Sequence, residues 1–220
     1  MIKTRGPKYF CFIATLLIAI SPLFIAKSTV MASEVDSTTG KTEQNSRIYL
    51  QTPDQEIKTA EATGEEFTKQ QIANGYLEVD SSGNLEVTPK WIDEIKANLV
   101  IQKRDKDYDV YADGAAIVLV DKNVPTNPKP DGVTKIVNTW KGFDLYLKHS
   151  HCEKVTDAQQ MVTVFAPFLG APLGTILAAI CGAQVILIQR SDKGQGVIIA
   201  FIGTLGINKP LPIPHWIASQ

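Results

Sequence analysis

Histidine and cysteine are scarce, with three of each among the 220 residues. Cys11 lies in an N-terminal apolar run, so the rest of the chain holds only Cys152, Cys181, His149, His151 and His215. A structural zinc site needs four converging ligands, and three of these five stand together between positions 149 and 152, which argues against one. Positive charge is short as well. With residues 1–32 set aside, 18 basic residues face 23 acidic ones, and a nucleic-acid partner, which requires a basic surface, is excluded. No self-similarity marks a repeat array. The most informative absence is of charge of either sign: the 32 positions between Asp157 and Arg190 carry none.

The N-terminus has the pattern of an export signal. Lys3, Arg5 and Lys8 precede an uncharged run of 18 residues from Tyr9 to Ala26, and Val30 and Ala32 set up a cut before Ser33. An uncleaved anchor is the alternative, since such a run just reaches bilayer length, but Pro22 interrupts it. The expected compartment is therefore outside the cell. There, Cys152 and Cys181 have the makings of a disulfide, whose loop of about 30 residues would contribute on the order of 3 kcal/mol. Two separate buried thiols are the other reading.

Beyond the signal (1–32), composition divides the chain into a polar, disordered lead-in (33–46), a small acidic α+β region (47–122), a Pro-rich linker (123–132) and a hydrophobic C-terminal domain (133–220). Residues 33–130 hold 18 acidic and 11 basic residues, whereas 131–220 hold 5 and 7. In the acidic region, Thr63 and Glu66 form a capping box for a helix ending at Asn74-Gly75. Alternation on either side of Ser81-Ser82-Gly83 predicts a hairpin. Thr88-Pro89 starts a second helix to about Leu99, and residues 108–111 and 115–120 are short strands. The C-terminal domain is expected to run strand (142–148), helix (157–168), helix (173–189) and strand (197–202), with the helices parted by Pro167, Gly170 and Pro172. Its tail should be held extended by Pro210, Pro212 and Pro214 near Trp216. The fold class is α+β.

Few groups offer chemistry. His149, His151 and Cys152 put a thiol beside imidazoles, yet a Cys–His hydrolase also needs an orienting group and an oxyanion donor. Asp105, Asp107 and Asp109 lack the glycine and glutamate of a calcium loop and alternate with basic residues, as in a solvated, ion-paired turn. Asp144 falls on the outer face of its strand. Gly194-Gln195-Gly196 lies between helix and strand in the wrong order for a nucleotide loop. No catalytic, cofactor or metal residue is assigned, and the chain reads as non-enzymatic.

The charge-free helices are unusual. Phe165, Phe168, Leu173, Ile176, Leu177, Ile180, Ile186, Leu187 and Ile188 leave almost no polar face, so this segment must be sheltered by its own fold, by a second copy of the chain, or by lipid. Gly170, Gly174 and Gly182, with nearby alanines, allow close helix approach.

Trp140-Lys141-Gly142, Leu145-Tyr146-Leu147, the Gly/Ala-rich run from Phe165 to Ile188 and Gly196-Val197-Ile198-Ile199 carry a resemblance of layout. Over its last 85 or so residues the chain resembles exported Gram-positive bacteriocin-like precursors and secreted proteins with a hydrophobic C-terminal part. That resemblance implies a C-terminal unit acting on a membrane or the cell envelope, antimicrobial after processing. The alternative expectation is a secreted binding module of the envelope whose helical hairpin is simply core.

Overall fold

Alternating apolar residues set the frame. Phe143, Leu145 and Leu147 on one strand meet Phe201, Ile199 and Val197 on the next, all buried, and this shared face is the one the helices cover. The computed structural model describes residues 47–122, 131–156, 158–206 and 209–220. All of them belong to one compact unit. The expected export signal, the lead-in to residue 46 and residues 123–130 of the expected linker lie outside the described residues.

Among the described residues the fold is α+β, with nine strands and six helices. Seven strands form one antiparallel sheet: β1 (Ile48–Tyr49), β4 (Tyr108–Asp113), β5 (Ala116–Asp121), β6 (Thr134–Thr139), β7 (Gly142–Leu147), β8 (Val197–Ile202) and β9 (Ile213–Ser219), in the order β1-β9-β8-β7-β6-β5-β4. β2 (Leu77–Val79) and β3 (Leu85–Val87) form a separate hairpin at the expected place. The helices are α1 (Asp54–Ala73), α2 (Pro89–Ile101), α3 (His149–Cys152), α4 (Ala158–Leu169), α5 (Ala171–Ala183) and α6 (Val185–Ser191).

The expected boundary at 123–132 does not separate two folds. β5 pairs with β6 from Ala116↔Val137 to Leu119↔Thr134, and β1 pairs with β9, so acidic and apolar regions share one sheet. A sheet with an unpaired β6 edge would leave backbone donors and acceptors without partners, and β5 supplies them. The C-terminal part is likewise more than strand-helix-helix-strand, since β6 and β9 flank the expected pair.

Three elements differ from expectation for physical reasons. Helix α1 begins at Asp54, after Pro53, rather than at Thr63, whose hydroxyl instead donates back to the Thr59 carbonyl at 2.9 Å. Its buried stripe is Ala60, Gly64, Thr68 and Gln71, too small and polar to register as an apolar face. The expected helix over 173–189 is two helices: Pro172–Ala183 and Val185–Ser191 meet at 73°. Pro167 lies inside α4 without ending it, and the break between α4 and α5 comes at Gly170. The tail is not a free extended segment but β9, whose register against β8 shifts between Ala200↔Trp216 and Phe201↔Pro214 so that His215 is the extra residue and Pro214 stands beside the bulge, a place where a missing N–H is tolerated.

The charge-free helices form the core. Phe165, Phe168, Leu177 and Ile188 are buried, and Leu173, Ile176, Ile180 and Leu187 pack against them; Ile186 alone of the nine residues singled out points away, 76% exposed. Each fully buried Leu, Ile or Phe is worth about 1.5–3 kcal/mol relative to exposure, which is reason enough for an uncharged segment to turn inward. No single described helix is long and apolar enough to cross a membrane.

Candidate functional site

Helix α1 stands close to the sheet because its contact stripe is small. A Cβ on Gly64 would lie 2.1 Å from the carbonyl oxygen of Lys141. Nearby, the Thr68 hydroxyl donates to Thr139 O at 3.3 Å and Lys141 pairs with Glu61 at 3.2 Å. Helix α2 is fixed independently: the Thr88 hydroxyl at its start donates to Gly75 O at 2.7 Å, and Lys90 Nζ donates to Asn74 O at 2.6 Å. The α4–α5 corner closes the third side, where Gly174 faces Ala166 so closely that a Cβ would sit 2.9 Å from its nitrogen. These supports leave a cavity of about 250 Å³ between α1, α2, the α4–α5 corner and the sheet.

Its floor is Ile117, Ile136 and Phe143 on the covered face of the sheet. Its walls include Phe67 from α1, Trp91 from α2 and Phe168 and Leu173 from the charge-free helices. Tyr76 and Trp91 pack with ring centroids 5.8 Å apart. Glu94 is the one exposed lining residue and marks the mouth. Its carboxylate accepts a hydrogen bond from Tyr76, which together with slight desolvation holds that phenol above its usual pKa. Among the described residues, no lysine, arginine or histidine lines the cavity. Thr204, 2% exposed and just beyond β8, lines it too, and its hydroxyl has no hydrogen-bond partner.

Away from the cavity, the His149–Cys152 segment is a polar knot at the end of β7. His149 Nδ1 lies 2.6 Å from Asp192 Oδ2, whose other oxygen accepts from the Gly194 and Gly196 N–H groups. The Asp192 hydrogen bond raises the His149 pKa. Burial opposes ionisation of Asp192, but His149 and the two glycine amides outweigh it and leave that carboxyl below its ordinary value. His151 is buried, 3% exposed, and burial with Lys148 and Lys154 nearby lowers its pKa to about 3. Thr134 Oγ1 accepts from Lys148 N at 3.3 Å and is hydrogen-bonded to His151 Nδ1 at 2.7 Å. Ser150 donates twice to Asp131, and the Gln220 side chain ties Val133 to Leu147.

Cys152 and Cys181 are free, buried thiols, and burial raises both pKa values. A thiol held protonated is a poor nucleophile, and the Cys152 sulfur is spent donating to Leu147 O at 3.5 Å. Among the described residues, no three His, Cys, Asp or Glu side chains group as a metal site. The Asp run is ion-paired, Arg104 to Asp107 at 2.8 Å and Lys122 to Asp109 at 2.9 Å. Asp144 lies on the sheet face opposite the helices, where burial raises its pKa and Arg47 works against the rise.

Of the residues singled out from sequence, Phe168 and Leu173 reach the cavity and the others are core, apart from exposed Ile186. Sequence reading missed Tyr76, Trp91, Glu94 and Thr204. The only signal was a pair of aromatics flanking the β2–β3 hairpin. No protein-family model, curated protein or solved structure matches the chain.

Proposed function

We propose that this chain is an exported, non-enzymatic binding module that holds a small molecule in the cavity between α1, α2 and the sheet. One observation carries the reading: the charge-free helices turn their apolar side chains onto the sheet and, in doing so, wall a cavity of about 250 Å³ instead of filling it. Protein interiors ordinarily pack without such voids, and a mainly apolar cavity with a few polar groups is the usual form of a ligand site. Export is supported by the basic start and apolar run before Ser33.

The test is binding of naphthalene to the purified full chain and to Leu173→Trp, which adds bulk at the wall. The wild-type chain should bind and be stabilised by saturating naphthalene, and the variant should lose binding while keeping its circular dichroism. Absence of binding to the wild-type chain overturns the reading.

A second reading, a bacteriocin-like part acting on membranes, draws on Ile186 and on the bent pair Pro172–Ala183 and Val185–Ser191, which together have the length and composition of a span. It requires those helices to leave the core. Leakage of anionic vesicles caused by the full chain or its processed C-terminal part would favour it.

A further inference from the structure

We infer that the cavity's ligand is a flat molecule about the size of two fused rings that carries one positive charge, its rings inside and its ammonium group at the mouth against Glu94. The inference rests on the binding reading above and adds the ligand's chemistry.

Size comes first. An apolar cavity of about 150 Å³ accommodates benzene, so the 250 Å³ here suits a body one ring larger. Shape follows from the walls, where Phe67, Tyr76, Trp91, Phe143 and Phe168 present rings, and aromatic faces and edges favour a flat apolar guest.

The charge is set by α2. Trp91, Glu94, Ile95 and Asn98 all line the cavity, and a spacing of i, i+3, i+4 and i+7 puts them on one face of the helix. Glu94 thus belongs to the stripe turned to the cavity, and it alone of the four is exposed, so a ligand can reach it. Its carboxylate accepts from the hydroxyl of Tyr76, itself a lining residue, which pins the acid at the rim. Among the described residues no ion pair reaches Glu94. Lys90, one turn before it, lies outside the lining, and its Nζ is turned to Asn74 O at 2.6 Å and lies 4.9 Å from the centre of the Tyr76 ring. The lining therefore presents a single charge, negative and without a counter-ion.

An ammonium group supplies that counter-ion at the mouth, where it keeps part of its water while the rings leave theirs. Trp91, on the same face as Glu94, is the ring type that attracts cations most strongly. A carboxylate or phosphate would instead enter against a like charge and find no cation in the wall.

Equilibrium dialysis of the purified full chain against 2-naphthylmethylamine, which is protonated at neutral pH, naphthalene and 2-naphthoate tests this. The wild-type chain should bind the amine about fivefold more tightly than naphthalene, the worth of one solvent-exposed ion pair, and 2-naphthoate most weakly. Raising sodium chloride to about 0.5 M should shrink the preference for the amine. Glu94→Gln should bring the amine to the affinity of naphthalene and keep the wild-type circular dichroism. Asp93→Asn removes an exposed carboxylate of the same helix that does not line the cavity; it should leave the preference whole, which separates Glu94 from the general acidity of the chain. Equal binding of amine and naphthalene, a preference surviving in Glu94→Gln or lost equally in Asp93→Asn, or 2-naphthoate binding tightest would overturn the inference and leave the cavity reading standing. If the wild-type chain takes up none of the three, the cavity reading falls and the inference with it.

Discussion

His151 ties the structure to pH. Its ring is neutral in the fold because burial lowers its pKa from 6.5 to about 3. As pH falls below 6.5 the unfolded chain takes up a proton that the native ring refuses, so stability is lost on acidification; above 6.5 the residue contributes no pH dependence. The loss runs at about 1.4 kcal/mol per pH unit. Urea unfolding at pH 6.5 and 5.0 should therefore show His151→Gln losing about 2 kcal/mol less than the wild-type chain over that interval. His149 works in the other sense. Its raised pKa gives stability that is present below 6.5 and lost as pH rises through the folded value, while the lowered Asp192 pKa gives stability present above 3.8 and lost as pH falls. Asp192→Asn should consequently cost most between those two values, and the penalty should shrink above neutrality.

The cysteines make a second residue-scale prediction. Both thiols are buried with raised pKa values, so the thiolate needed for alkylation is rare in the native state. Iodoacetamide should leave Cys152 and Cys181 unmodified in the native chain and modify both in denaturant, read by mass spectrometry of the peptides. Recovery of a single peptide pair linked through the two sulfurs would instead show that they form a disulfide.

Among the elements, two glycines of opposite character test how α1 and α5 are held. Alanine in a helix interior is worth up to about 1 kcal/mol over glycine. At Gly182 nothing lies within 4 Å of the added carbon, so Gly182→Ala should raise the midpoint of thermal unfolding. At Gly64 the carbon would meet the Lys141 carbonyl at 2.1 Å, and backbone must move. Overpacking of that kind costs about 1–3 kcal/mol, and because α1 is a wall of the cavity, Gly64→Ala should lower both the unfolding midpoint and naphthalene affinity.

The same close packing explains what could be read without coordinates. Helix α2 and strands β7 and β8 were legible because their buried positions are Ile92, Ile95 and Leu99 at helical spacing, and alternating Phe, Leu, Val and Ile in the strands. The start of α1 was not, since Ala60 is the only buried residue before Thr63 and leaves no apolar stripe to mark where the helix begins. β6 buries Thr134 beside Ile136, and β9 carries Pro214 and His215, so neither shows a clean alternation. Phe168 and Leu173 stood out as apolar, but the cavity they line arises from segments far apart in the chain. Thr204, in a loop after β8, belongs to no periodic pattern at all.

For the whole molecule, the shared sheet decides what a cut between residues 122 and 131 would do. Release of an active C-terminal part requires that part to leave. Yet β5 supplies the neighbour of β6, β1 that of β9, and α1 and α2 the outer walls of the cavity, so residues 47–122 cover both backbone edges and apolar side chains of residues 131–220. Three or more strands sharing a buried face hold together without a covalent link, and separation would expose Ile136, Phe143 and Phe168 to water at about 25 cal/mol for each Å² uncovered. A chain carrying a protease site within 123–130, purified whole and then nicked, should elute from gel filtration at the mass of the intact chain and still bind naphthalene, with the fragments parting only in denaturant. Dissociation on nicking, with a C-terminal fragment that then partitions into vesicles, would return the charge-free helices to the membrane.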